Sequence, residues 1–129
     1  MEYLTPITPQ ICDTDFSGNV NHVAYQRWFD HARISFYAQL FPKMQTIPHG
    51  LVTLKSTVEY YRFVNVLDTL VIHSRVTHIG TKSFELTQEL RRGEELCAKS
   101  VMVFCALDFN LHKSEPLDDF KRNVLQKFL

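Results

Sequence analysis

The sequence predicts an α+β fold in which an antiparallel sheet covers one long helix. Three observations predict it. Tyr25, Trp28, Phe29, Ala32, Phe36 and Leu40 recur at three and four, the period of a helix with one apolar face. After Gly50 the pattern changes to alternation and to runs rich in Val, Ile and Thr, separated by short glycine turns. A long helix with one apolar face also needs a surface to bury it, and a curved sheet supplies that surface.

Residues 3–12 read as a first strand, which Pro6 and Pro9 push toward a sheet edge because proline cannot donate to a ladder. Thr14 to Asn19 is turn chemistry. The long helix follows over about residues 21–40, with Gln26, Arg27, Asp30 and Arg33 off the apolar stripe and Asn19 or Asn21 as cap. Pro42 and Pro48-His49-Gly50 punctuate its end. Leu51 to Phe63 is a strand with Val52, Leu54, Val58 and Tyr60 on one parity. Leu70 to Ile79 is the next, then a strand around Phe84 to Leu90, then Leu96 to Leu107, with turns at Gly80-Thr81-Lys82 and Arg92-Gly93-Glu94. Their spacing predicts a four-stranded antiparallel meander. The last strand is apolar on both parities, so its faces are covered or its edge pairs with another subunit. Pro116 opens a terminal helix over Leu117 to Phe128, with Asp118 and Asp119 in its first turn.

A length of 129 residues fits a single domain, residues 1–129, with a real core. The formal charge is +0 and no basic stripe is present, so no nucleic-acid partner is expected. No apolar run reaches the roughly 18 residues of a membrane span. The start, Met-Glu-Tyr-Leu-Thr-Pro, lacks the basic and apolar regions of a signal peptide. Cys12, Cys97 and Cys105 form no CxxC pair and read as reduced core thiols, and the expected location is cytoplasmic.

The chemistry concentrates in Asp13-Thr14-Asp15-Phe16-Ser17-Gly18-Asn19-Val20-Asn21-His22-Val23-Ala24-Tyr25. Asp15 lies in a turn just before the long helix. The first turn of a helix has unpaired N–H groups and partial positive charge. A thioester carbonyl aimed there is polarised, and one such donor is worth about 2.7–4 kcal/mol in a water-poor site. Gly18 lets the backbone approach closely. Asp15 then activates water or attacks the carbonyl itself. Taken alone, an Asp in such a turn is more often a cap or Asx-turn residue, and Asp13 is expected to bond local backbone.

The run from Asp13 to Tyr25 resembles the active-site signature of hotdog-fold acyl-CoA thioesterases of the 4-hydroxybenzoyl-CoA thioesterase type, and is close to the Tol-Pal-associated acyl-CoA thioesterase subgroup. The matching positions are Asp13, Asp15, Gly18, Val20, His22, Tyr25, Asp30, Ala32 and Arg33. The similarity continues through Thr57-Val58-Glu59-Tyr60, Leu67-Asp68 and Gly80-Thr81-Lys82-Ser83-Phe84 and covers nearly the whole chain. It implies a hotdog fold and hydrolysis of acyl-CoA to free acid and coenzyme A, with no cofactor beyond the coenzyme A of the substrate. It also implies Asp15 as the catalytic carboxylate and the backbone N–H of His22 as oxyanion donor. Asn21 and Tyr25 would contact substrate, and Lys82 the coenzyme A phosphates. A homodimer, or a tetramer made of two dimers, would carry the site at a subunit boundary. Relatives usually have Glu where Asp30 stands, and a common version has His-Val-Asn-Asn where this chain has Asn19-Val20-Asn21-His22. These departures bear on which substrate fits.

Two other readings share the fold: hydrolysis of acyl groups from an acyl carrier protein, and a non-catalytic acyl-binding or assembly protein. A metal site built from His22, His31, Asp13 and Asp15 is not expected, since the histidine spacing does not put both on one helix face. Ser17-Gly18 is not a nucleophile elbow. Cys12 reads as a buried strand residue. Among the basic residues Lys55, Arg62, Lys82, Arg91 and Arg92, Arg62 and Lys82 lie near strand ends. The Tyr60-Tyr61 pair is expected to split, one ring inward and one toward a pocket or partner.

Overall fold

The computed structural model describes residues 1–40 and 49–129. Its elements are β1 (Tyr3–Ile7), α1 (His22–Leu40), β2 (His49–Tyr60), β3 (Leu70–Ile79), β4 (Ser83–Arg92), β5 (Glu95–Asp108), β6 (Lys113–Ser114) and α2 (Asp119–Lys127). The expected stops at Pro42 and Pro48 lie outside the described residues.

The helix stripe read from the sequence is the buried stripe. Tyr25, Trp28, Phe29, Ala32, Phe36 and Leu40 are all buried, joined by Ala24. Ala24 and Ala32 are small enough to let α1 lie close on the sheet. The packing forms two adjoining clusters. One joins Tyr25, Trp28 and Phe29 to Leu70, Ile72, Leu90 and Ala98, next to the turn that carries Asp15. The other joins Phe36 and Leu40 to Val76, Phe84, Leu86 and Phe104, and α2 closes it with Val124, Leu125 and Phe128. Burying one large apolar side chain contributes about 1.5–3 kcal/mol, so this stripe is what sets α1 on the sheet.

The sheet order is β1-β3-β4-β5-β2, with β6 on β5, and every pairing is antiparallel. Only β3, β4 and β5 form a meander. The four-stranded meander expected from the sequence is wrong at β2, which pairs with β5 rather than β3. The reason lies in residues 61–69, whose one turn, Asp68 N–H to the Asn65 carbonyl at 3.2 Å, does not join β2 to β3 as a hairpin. Val64 sinks into the core there (1% exposed) and its carbonyl takes the N–H of Val20, so this segment crosses the sheet instead of reversing. The last long strand is therefore internal; the unpaired sheet edges belong to β1 and β2. Tight turns hold where they were read: Gly93, at φ +63°, sits in the turn between β4 and β5.

Several boundaries also differ. β1 ends at Ile7 rather than residue 12, and Ile11–Asp13 forms a 3₁₀ turn that leaves Cys12 exposed instead of buried in a strand. β2 ends at Tyr60 and does not keep one apolar parity, because the register shifts between Thr53 and Lys55 and Leu54 points to solvent. Such a bulge is one way an edge strand resists pairing errors. Asp118 lies before α2, not inside its first turn: its carboxylate accepts the N–H of Lys121 at 2.7 Å as the N-cap.

Candidate active site

The turn before α1 is built by its own backbone. Asp15 N–H donates to the Asn19 carbonyl (2.9 Å), Gly18 N–H to the Asp15 carbonyl (3.1 Å), and Asn21 N–H to the Asp13 carbonyl (2.9 Å). Gly18 closes the turn at φ +87°, and a Cβ there would meet nothing within 4 Å. Glycine suits this left-handed conformation, which residues with a Cβ rarely adopt.

Asn21 caps the helix, its side-chain oxygen taking the Ala24 N–H at 3.1 Å. The amides of Val20, Asn21 and Ala24 are engaged in these contacts. Those of His22 and Val23, in the first turn of α1, have no carbonyl one turn back to receive them. Asp13 bonds local backbone as expected, accepting Gln10 N–H at 2.8 Å, and it also accepts the Arg27 guanidinium at 2.5 Å. The Arg27 pairing was not read from the sequence. It ties the turn to α1 through a carboxylate that is only 6% exposed.

Asp15 is fully exposed in this chain. Its Oδ1 accepts both the hydroxyl and the amide (2.8 Å) of Ser17. Those two bonds, the hydroxyl first, hold the Asp15 carboxyl below the usual carboxylate range. Asp15 lies on a cleft of about 650 Å³, within the range of small-ligand sites. Asn21, His22 and Tyr25 line the same cleft from the helix start. Its opposite wall is Tyr60 to Phe63, a contribution not seen in the sequence. Tyr61 and Arg62 N–H groups both donate to the Cys97 carbonyl (2.8 and 3.1 Å), pinning that wall to β5.

The rings of Tyr25 and Tyr60 stack at 5.2 Å, and His22 meets Tyr60 edge-on at 6.3 Å. The Tyr25 hydroxyl donates to the Arg62 carbonyl at 3.3 Å, and burial pushes its pKa up, so it stays a neutral donor. The expected split of the tyrosine pair does not occur: Tyr60 and Tyr61 are both exposed and both face the cleft, because β2 ends there. Arg62 lies on the cleft, its Nε 3.5 Å from Glu95. Lys82 does not line the cleft of its own chain; its Nζ donates to Ser114 at 3.3 Å.

Among the described residues, His22, His31, Asp13 and Asp15 do not converge on one point. Among the described residues the one converging set of metal-ligating side chains is His49, Asp108 and Glu115, with His49 Nδ1 2.8 Å from Glu115 Oε1. No helix among the described residues is long and apolar enough to cross a membrane.

With a helix cradled by an antiparallel sheet and an acid at the helix start, the class is an α+β hotdog domain. Residues 9–128 match the model of the Thioesterase-like superfamily, and the chain belongs to that family. Solved structures agree on the fold. A protein from Bacillus stearothermophilus described as a predicted thioesterase superposes with a TM-score of 0.93 at 22% identity, covering 100% of this chain and 97% of that one. A 1,4-dihydroxy-2-naphthoyl-CoA thioesterase from Synechocystis gives 0.86 at 16% identity, covering 98% and 96%. A hypothetical protein from Staphylococcus aureus, solved in complex with CoA, gives 0.90 at 11% identity, covering 99% and 84%. No curated protein matches the sequence. Family membership supports thioester hydrolysis.

Proposed function

We propose that this chain hydrolyses an acyl-CoA thioester to a free acid and coenzyme A, with Asp15 as nucleophile or general base. The observation that carries this reading is that Asp15 shares its cleft with His22, the first residue of α1, in a chain of a thioesterase family. The thioester carbonyl lies with its oxygen toward the His22 N–H, which stabilises the tetrahedral oxyanion. Asp15, ionised across the neutral range, attacks the carbonyl carbon or orients the water that does. The thiolate then departs without a dedicated acid, since a thiol pKa is about 8.5.

Arg62, on the cleft, supplies a cation for the coenzyme A phosphates, a role in keeping with the CoA complex of the Staphylococcus aureus protein. Lys82 reaches the same substrate only from a second copy. Two copies join along the free edge of β2, leaving the cleft at their boundary, and two such dimers can pair into a tetramer. The enzyme acts in the cytoplasm. A stable monomer in light scattering would contradict a shared site.

The test is a panel of acetyl-, medium-chain, long-chain and aroyl-CoA, followed by free-thiol release. Asp15→Asn lowers kcat by about a hundredfold or more, with the melting temperature unchanged. Near-normal kcat in that variant would overturn the assignment. One turnover in oxygen-18 water tests the covalent route: label in the Asp15 carboxylate marks an anhydride, formed by attack of Asp15 with loss of the thiolate, that water opens at the aspartyl carbon.

A further inference from the structure

A second cavity, of about 290 Å³, lies between α1 and the β2 side of the sheet. Val23, Phe29 and Met102 give it apolar surface, and Ser56 and Ser100 line it from the strands. It uses a different set of α1 positions from the first cleft. Asn21, His22 and Tyr25 face the first, whereas Val23, Gln26, Arg27 and Asp30 face the second. Along β2, Ser56 lies four residues before Tyr60, roughly 13 Å at strand rise.

A side-chain hydrogen bond links the linings of the two spaces. Gln26 Nε2, from the second cavity, donates to the hydroxyl of Tyr60, from the first, at 3.0 Å. Neither partner is held by burial, as both are exposed. The charged residues lining the second cavity are already occupied: Arg27 pairs with Asp13, and Asp30 with Arg33.

We propose that Gln26 and the Tyr60 hydroxyl form a gate that sets the length of acyl group this cleft accepts. The proposal rests on the reading of the cleft as an acyl-CoA site. A short acyl group fits beside Tyr25 and Tyr60 with the gate shut. A long one runs on into the second cavity and must displace the Gln26–Tyr60 hydrogen bond, at the cost of that bond. Gln26 is therefore a specificity-determining residue that takes no part in the chemistry.

The test compares butanoyl-CoA with tetradecanoyl-CoA. Gln26→Ala is on an exposed helix position where alanine is the best helix former, so the fold survives. It raises the tetradecanoyl-to-butanoyl ratio of kcat/KM about fivefold, the equivalent of one ordinary hydrogen bond. Tyr60→Phe, which keeps the ring and its stacking on Tyr25, shifts the ratio in the same direction. Gln26→Glu, whose carboxylate accepts from the Tyr60 hydroxyl, keeps the wild-type ratio. A contact that merely ties helix to strand would lower the melting temperature and leave the ratio alone.

The same two ligands are titrated calorimetrically in the Asp15→Asn background, with and without Gln26→Ala, so that binding is read apart from turnover. Absence of hydrolysis by the wild-type chain, with a shifted Kd ratio in the Asp15→Asn background, overturns the catalytic reading and supports the gate. A ratio within twofold of wild type in both measurements overturns the gate. Failure of either ligand to bind overturns both.

Discussion

Replacing Arg92 with Met tests whether one guanidinium fixes the wall of the cleft. Arg92 ends β4, and its Nη1 donates to the Phe63 carbonyl (3.1 Å) and to Asp68 Oδ2 (2.7 Å). Its Nε and Nη2 both reach Glu95 Oε1 (3.0 and 2.7 Å). Asp68 braces the same crossover by accepting the Asn65 N–H at 2.9 Å. The contacts differ in weight. The Glu95 side chain is 41% exposed, so that pair is screened and contributes little. Asp68 is 16% exposed and would be left without its cation. A hydrogen bond to a charged group is worth about 1.5–3 kcal/mol, and partial exposure of Arg92 puts the expected loss at about 2 kcal/mol.

The pH dependence follows from Asp68. Burial pushes its carboxyl up, but the Asn65 amide and Arg92 together outweigh burial and hold it below the usual range. A depressed carboxylate contributes stability that is present above its unfolded pKa, about 3.9, and is lost as pH falls through the lower folded value. The difference between wild type and Arg92→Met is therefore largest at neutral pH and narrows below about pH 4. Urea unfolding at pH 7 and pH 3, read as the midpoint at constant m, measures both. A loss under about 0.5 kcal/mol at pH 7, or one that does not shrink in acid, refutes the reasoning. So does an absence of coupling with Asp68→Asn in a double-mutant cycle.

Two further outcomes follow from the turn and the helix start. Ser17→Ala removes the leading cause of the low Asp15 pKa, so the acid limb of the kcat/KM profile moves to higher pH; a limb that stays put separates Asp15 from that ionisation. Asn21→Ala removes the cap on Ala24 and costs about 1 kcal/mol in urea unfolding, and an unchanged midpoint would show the cap to be idle.

What was legible in the sequence divides by the range of the interaction that fixes it. The α1 stripe was legible because one face of one helix meets one sheet, so the period alone names the buried residues. The β3–β4 and β4–β5 hairpins were legible because Gly80-Thr81-Lys82 and Arg92-Gly93-Glu94 are short enough to force reversal. The place of β2 was not. Its partner β5 is distant in sequence, and residues 61–69 carry no glycine or proline to announce or forbid a hairpin. The alternation that seemed to orient β2 also fails at Leu54, since a single bulged residue moves every later side chain to the other face.

The site divides the same way. Asp15, Gly18 and the helix start are contiguous, and the motif brought them into one view. Tyr60, Tyr61, Arg62 and Phe63 reach the cleft only through the crossover, which no local pattern announces. Within the motif itself, the Asx-turn bonds of Asp15 leave room for the proposed catalytic role. The turn bonds from Ser17 both end on Asp15 Oδ1, leaving Oδ2 outside that pair. They also stabilise the anion, which keeps the carboxylate ionised at neutral pH and makes it a weak base. A weak base gains little by taking a proton from water, whereas an ionised oxygen can bond directly to an acyl carbon. Direct attack by Asp15 with loss of the thiolate predicts an acyl-aspartyl anhydride, marked by label in the Asp15 carboxylate after one turnover in oxygen-18 water. A rapidly quenched single turnover that releases thiol and free acid at the same rate, with no acyl-enzyme trapped, would mean that the anion orients water instead.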